Sequence, residues 1–127
     1  MTNIPNEDLK LLSEIAMSAA VRGHGASAKP IFEALGHLQP GNAAAAIGYA
    51  LTEITQGRFQ NAVQILQRDG ITAEAGATEA KAMLMVSLVL AGRSEEARLL
   101  QRELIRNGDG PAKQIAQLLM KKVKINA

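Results

Sequence analysis

The chain has no cysteine and no tryptophan, and its aromatics are two Phe and one Tyr in 127 residues. Without cysteine it can build neither a disulfide framework nor a thiolate site. With so few rings, its core must be made of Leu, Ile, Val, Met and Ala, a set that suits closely packed helices. No apolar run reaches the ~18 residues of a membrane span. The start, Met1-Thr2-Asn3-Ile4-Pro5-Asn6-Glu7-Asp8, carries early acids and no basic-then-apolar leader, so no signal peptide is expected. These absences favour a cytoplasmic protein without membrane insertion. The formal net charge of +2 is too small to argue for nucleic acid. His24 and His37 are the only histidines, and neither belongs to a ligand pattern. Glu95-Glu96 reads as a helix-start pair rather than an acid/base dyad. The expectation is a protein with no catalytic residues, no metal and no cofactor.

What is present is a repeat. Gly23-His24-Gly25-Ala26-Ser27-Ala28, Gly57-Arg58-Phe59-Gln60-Asn61-Ala62 and Gly92-Arg93-Ser94-Glu95-Glu96-Ala97 share a glycine followed five residues later by alanine, at spacings of 34 and 35 residues. Glycine closes a helix by accepting positive φ. The alanine leaves room for a second helix to cross. A period near 34 marks tetratricopeptide (TPR) arrays of helix-turn-helix units. The expected fold is therefore all-α: one domain with repeats over about 6–40, 41–74 and 75–110 and a capping helix over about 111–123.

Apolar spacing places the helices. The first has Asn6 as its cap and Leu9, Leu12, Ile15, Ala16 and Ala19 inward. The second carries Ile31, Phe32, Leu35 and Leu38, with Pro30 in its first turn or Ser27 as cap. Pro40-Gly41-Asn42 breaks the chain. The third, from about Ala43 to Thr55, is an unusually thin run of alanines around Gly48. The fourth has Phe59, Ala62, Val63, Ile65 and Leu66 on one face and ends at Asp69-Gly70. The fifth, about Ala77 to Ala91, is apolar nearly all round and should be covered on both faces. The sixth is capped by Ser94 and lined by Leu100, Leu104 and Ile105. The last turns Ile115, Leu118, Leu119 and Val123 inward and Lys113, Lys121, Lys122 and Lys124 outward, as a solenoid cap should.

In such an array the first helix of each repeat lines the concave face. The register puts Lys10, Ser13, Met17 and Ala20 there from the first repeat. The second contributes Ala44, Ile47, Gly48, Leu51 and Ile54, and the third Glu79, Ala82, Val86 and Val89. The lining is mostly apolar and small, which fits an amphipathic partner helix better than a charged peptide end. The competing reading is a groove filled by the chain's own last helix.

Several stretches resemble the small TPR-like proteins of type III secretion. Arg22-Gly23-His24, Ile31-Phe32-Glu33-Ala34-Leu35 and Leu38-Gln39-Pro40 are similar to their first repeat. Gln56-Gly57-Arg58-Phe59 with Ala62-Val63-Gln64-Ile65-Leu66 is similar to the second, and Ala112 to Leu119 resembles the closing helix of the Hrp-type members. The resemblance spans about residues 10–120. It implies a cytosolic, virulence-associated chaperone that keeps a small helical secretion component, such as a needle subunit or early substrate, soluble in its groove. A second small co-chaperone is a further partner it implies. The rivals are a general TPR adaptor unrelated to secretion and a self-associating scaffold, which would form a homodimer.

The basic face of the last helix reads as solvated, because no aromatics interleave for base stacking. Reversing Lys121, Lys122 and Lys124 to Glu should leave the thermal melting curve unchanged and client co-purification intact.

Overall fold

Three glycines set the topology of the computed structural model, which describes residues 4–107. Gly23, Gly57 and Gly92 have φ of 87°, 77° and 78°. Each ends a helix in the same way. The N–H of the residue after the glycine donates to the carbonyl five residues back: His24 to Ala19 at 2.8 Å, Arg58 to Glu53 at 2.9 Å and Arg93 to Leu88 at 2.8 Å. The glycine N–H closes the inner bond, to Ala20, Ile54 and Val89. This double bond satisfies the last carbonyls and turns the chain back sharply. The same His24, Arg58 and Arg93 then open the next helix, their carbonyls accepting from Ala28, Ala62 and Ala97.

The described residues form helices only: α1 (Asn6–Val21), α2 (Gly25–Leu38), α3 (Ala44–Thr55), α4 (Phe59–Ile65, widening into a π-turn over Leu66–Gly70), α5 (Ala77–Leu90) and α6 (Ser94–Asn107). They make three successive hairpins, α1–α2, α3–α4 and α5–α6. The first helices pack side by side, α1 on α3 and α3 on α5, and α3 also packs on α2 and α4. Among the described residues α2 and α4 do not pack on each other. The loops after the first two hairpins are tied together: Ala43 N–H donates to the Ala75 carbonyl at 2.9 Å, and Glu74 and Ala75 N–H donate to the Gly41 carbonyl at 2.9 and 3.0 Å. Among the described residues no helix is long and apolar enough to cross a membrane.

Two packed clusters lie along the stack. The first joins Leu9, Ala16, Ala20, Ala28, Phe32 and Leu35, with Met17, Tyr49 and Leu51 against it. The second centres on Ala50, Ala62, Val63, Leu66, Met85, Leu88, Ala97 and Leu104. The turn alanines are fully enclosed, Ala62 and Ala97 at 0% exposure and Ala28 at 1%. On α5, Ser87 is buried among the apolar side chains and donates to the Met83 carbonyl at 2.9 Å, which satisfies its hydroxyl.

Several expected details shift. Helix α1 begins at Asn6 itself, with Pro5 as the flanking residue, whose carbonyl accepts from Asp8 and Leu9. Its buried positions are Leu9, Ala16 and Ala20, while Leu12 and Ile15 are 36% and 52% exposed. Helix α2 starts earlier than its proline suggests, because the glycine turn leads straight into it. Pro30 therefore sits inside the helix, where it removes the N–H that Ala26 would have bonded. Ser94 is the first helical residue of α6 rather than its cap, since Ala97 N–H bonds Arg93. Leu38 and Leu90 lie 38% and 45% exposed at helix ends. The expected capping helix, 111–123, lies outside the described residues, as do its lysines.

Ala62 is fully enclosed and belongs to the second cluster. Ala62→Leu should overpack the α3–α4 crossing and lower stability by roughly 1–3 kcal/mol, read as a reduced melting temperature. An unchanged melt would mean that the crossing is not close-packed.

Candidate functional site

The row expected to line the groove is built by one recurring position. Met17, Leu51 and Val86 are spaced 34 and 35 residues apart, each near or past the middle of the first helix of a hairpin. Those helices pack in succession, α1 on α3 and α3 on α5, so the three residues occupy one repeat position on neighbouring helices. All three are half-buried. Met17 and Leu51 pack against the first cluster, and Val86 stands outside both clusters. Around them Ala44, Ile47, Ile54 and Val89 are also half-buried, with Ile47, Ile54 and Val89 packed on the second cluster. Lys10 and Glu79 are exposed at equivalent positions at one end of the row, and Ser13 is half-buried. The result is a short apolar strip with one charge of each sign beside it.

Three expected lining residues do not belong to that strip. Gly48 is buried, and a methyl group there would overlap the Phe32 ring of α2. Its missing side chain makes room for the neighbouring helix, not for a partner. Ala82 is 2% exposed and belongs to the second cluster, and Ala20 is fully buried in the first. Each lies on the flank of its helix that meets the chain's own core, which a one-dimensional register does not resolve.

The structure also has a groove that sequence reasoning missed. Where α2 and α4 part, the far side of α3 lies open. One hollow of about 420 Å³ is lined by Gly36, Gln39, Asn42, Ala45, Tyr49, Asp69 and Thr72 among others. A second of about 350 Å³ is lined by Lys29, Tyr49, Thr52, Glu53, Arg58, Ile65 and Arg68 among others. Tyr49 stands in both. Its ring meets Phe32 edge-on, with centroids 5.8 Å apart and planes at 64°. Burial, and then the negative charge of Glu33, push its hydroxyl above its ordinary value, so it remains a protonated donor at neutral pH. The lone tyrosine in a run of alanines was the available signal.

The charged groups here serve the turns. Arg58 bonds Glu53 across the α3–α4 turn. Arg93 donates to both Glu96 carboxylate oxygens at 2.8 and 2.7 Å and to Gln60 at 3.0 Å, linking the third turn to α4. That hydrogen bond holds the Glu96 carboxyl below its usual range. Among the described residues no group of three or more His, Asp or Glu could hold a metal ion.

Residues 1–124 match the family model HrpB1_HrpK, described as bacterial type III secretion protein. No curated protein and no solved structure gives a match.

Gly48 separates a packing role from a lining role. Gly48→Ala should lower stability by roughly 1–3 kcal/mol, because the methyl meets the Phe32 ring. Thermal melts of Gly48→Ala alone and combined with Phe32→Leu check this: the smaller second side chain should recover part of the loss.

Proposed function

The chain belongs to the HrpB1_HrpK family of bacterial type III secretion proteins, and from that premise we propose that it is a TPR-like binding module for a small helical component of the secretion apparatus. The observation that carries this reading is the apolar row Met17, Leu51 and Val86 on three adjacent helices, each half-buried. The recurrence of one turn geometry at Gly23, Gly57 and Gly92 supports the TPR-like arrangement.

The mechanism is helix capture. An amphipathic helix presents apolar side chains at i, i+3, i+4 and i+7, and a strip one helix wide can take them. Val86 is a natural anchor point, since the domain's own clusters leave it partly free. The client is a subunit that polymerises through its own apolar stripe. Occupying that stripe lowers the free concentration of subunit and holds back assembly by mass action. The role is binding rather than catalysis. The sequence resemblance names a needle subunit or early substrate as client and a second small co-chaperone as companion.

Val86→Asp tests the row. Under a bound helix the carboxylate would be buried unpaired, costing several kcal/mol of affinity. In the free domain it still meets water, and the stability loss should stay near about 1 kcal/mol. Leu51→Asp should lose the client too, but with a larger drop in melting temperature, because Leu51 also packs on the first cluster. The measurement is co-purification with co-expressed small secretion subunits, beside thermal melts. Normal co-purification by both folded variants would move the client to another face, with the Tyr49 groove next in line.

A further inference from the structure

Shifting the register by 34 residues maps Leu11, Glu14, Ile15, Ser18 and Arg22 of α1 and its C-terminal flank onto Ala45, Gly48, Tyr49, Thr52 and Gln56 of α3. On α3 this side receives the preceding helix: Phe32 over Gly48, and Gly25 against Thr52. On α1 the same side is open. Leu11 and Ile15 are 54% and 52% exposed, and Val21 beside them is 62% exposed. A shallow groove of about 420 Å³ runs along it to His24. Among the described residues Glu14 and Arg22 have no ion-pair partner. They stand eight residues apart, about 12 Å along the helix, too far to pair with each other.

We propose that this face of α1 is a homodimer interface, in which two copies of α1 pack antiparallel about a two-fold axis at Ser18. The residue pattern is self-complementary about that point. In an antiparallel pair, a residue k positions before the axis meets the residue k positions after it on the other copy. Glu14 then faces Arg22 of the second copy, and Arg22 faces its Glu14. Ile15 meets Val21 in the same way. At about 100° per residue, Glu14 and Arg22 lie about 40° to either side of the Ser18 line; the two-fold keeps each on its own side, so Glu14 and Arg22 of the second copy face each other diagonally across one layer, within reach of their long side chains. Ser18 is small enough for close approach at the centre, and Leu11 reaches over the partner copy's α1–α2 turn.

A head-to-tail stack is disfavoured at the same site. It would press an incoming helix onto Glu14, where α3 has a glycine. The concave row stays accessible, because Met17 lies about 100° round α1 from Ser18. One pair of short helices buries less than the roughly 1,200 Å² of a standard stable interface, so the dimer should dissociate on dilution.

A charge swap on the full-length chain tests this. Sedimentation equilibrium of the wild type over a concentration series should show a monomer–dimer equilibrium. Glu14→Arg and Arg22→Glu each place like charges opposite one another twice, and each should weaken self-association by at least about tenfold. Mixing the two variants in equal amounts should restore dimers, because the mixed pair has both charge pairs matched, one reversed and one as in the wild type. Circular dichroism melts check that both variants remain folded, as expected for exposed positions. A wild type that stays monomeric throughout overturns the proposal. So do single variants that dimerise like the wild type, which would place the contact on another face, and a mixture that fails to associate.

Discussion

The ring of Phe32 lies in the space that a side chain at Gly48 would occupy, and the rest of the stack depends on that contact. It lets α2 come close to α3, whose remaining faces meet α1, α4 and α5. A twelve-residue helix can touch so many neighbours only if its side chains are small. Its buried residues are Ala46, Gly48 and Ala50, and Ala43 just before it is fully buried as well. The thin middle helix is thus what joins two apolar clusters into one body. Tyr49 and Leu51 pack toward the first, and Ile47, Ala50 and Ile54 toward the second.

Small residues at crossings leave large ones for other tasks. With the turn alanines Ala28, Ala62 and Ala97 enclosed, the helix crossings are filled by small side chains. Met17, Leu51 and Val86, larger residues on the first helices, are left half-covered. The same crowding on one side of α3 opens the other. α2 and α4 diverge, and Tyr49 fills only part of the gap. The binding reading rests on this division between a packed interior of small residues and a partly uncovered row of larger ones. Membership of a type III secretion family is the premise from which the proposed client class is drawn.

The sequence by itself determined the helices, the turns and their period. These are local matters: glycine at positive φ, alanine at the crossing and apolar spacing near 3.6 act within a few residues of one another. They placed Gly23, Gly57 and Gly92 correctly and predicted the burial of Ala62 and Ala97. They also identified Met17, Leu51 and Val86 as equivalent positions. Which flank of each helix meets which neighbour was decided only by the tertiary structure. Gly48 and Ala82 share a register with lining residues yet face the core, because a helix in a stack has three or four neighbours and a linear repeat cannot say where each lies. Leu12 and Ile15 follow an inward spacing as well as Leu9 and Ala16 do. They are exposed because no described helix precedes α1 on the side where α2 covers α3. Periodicity reports that a face is apolar, and only packing reports what covers it.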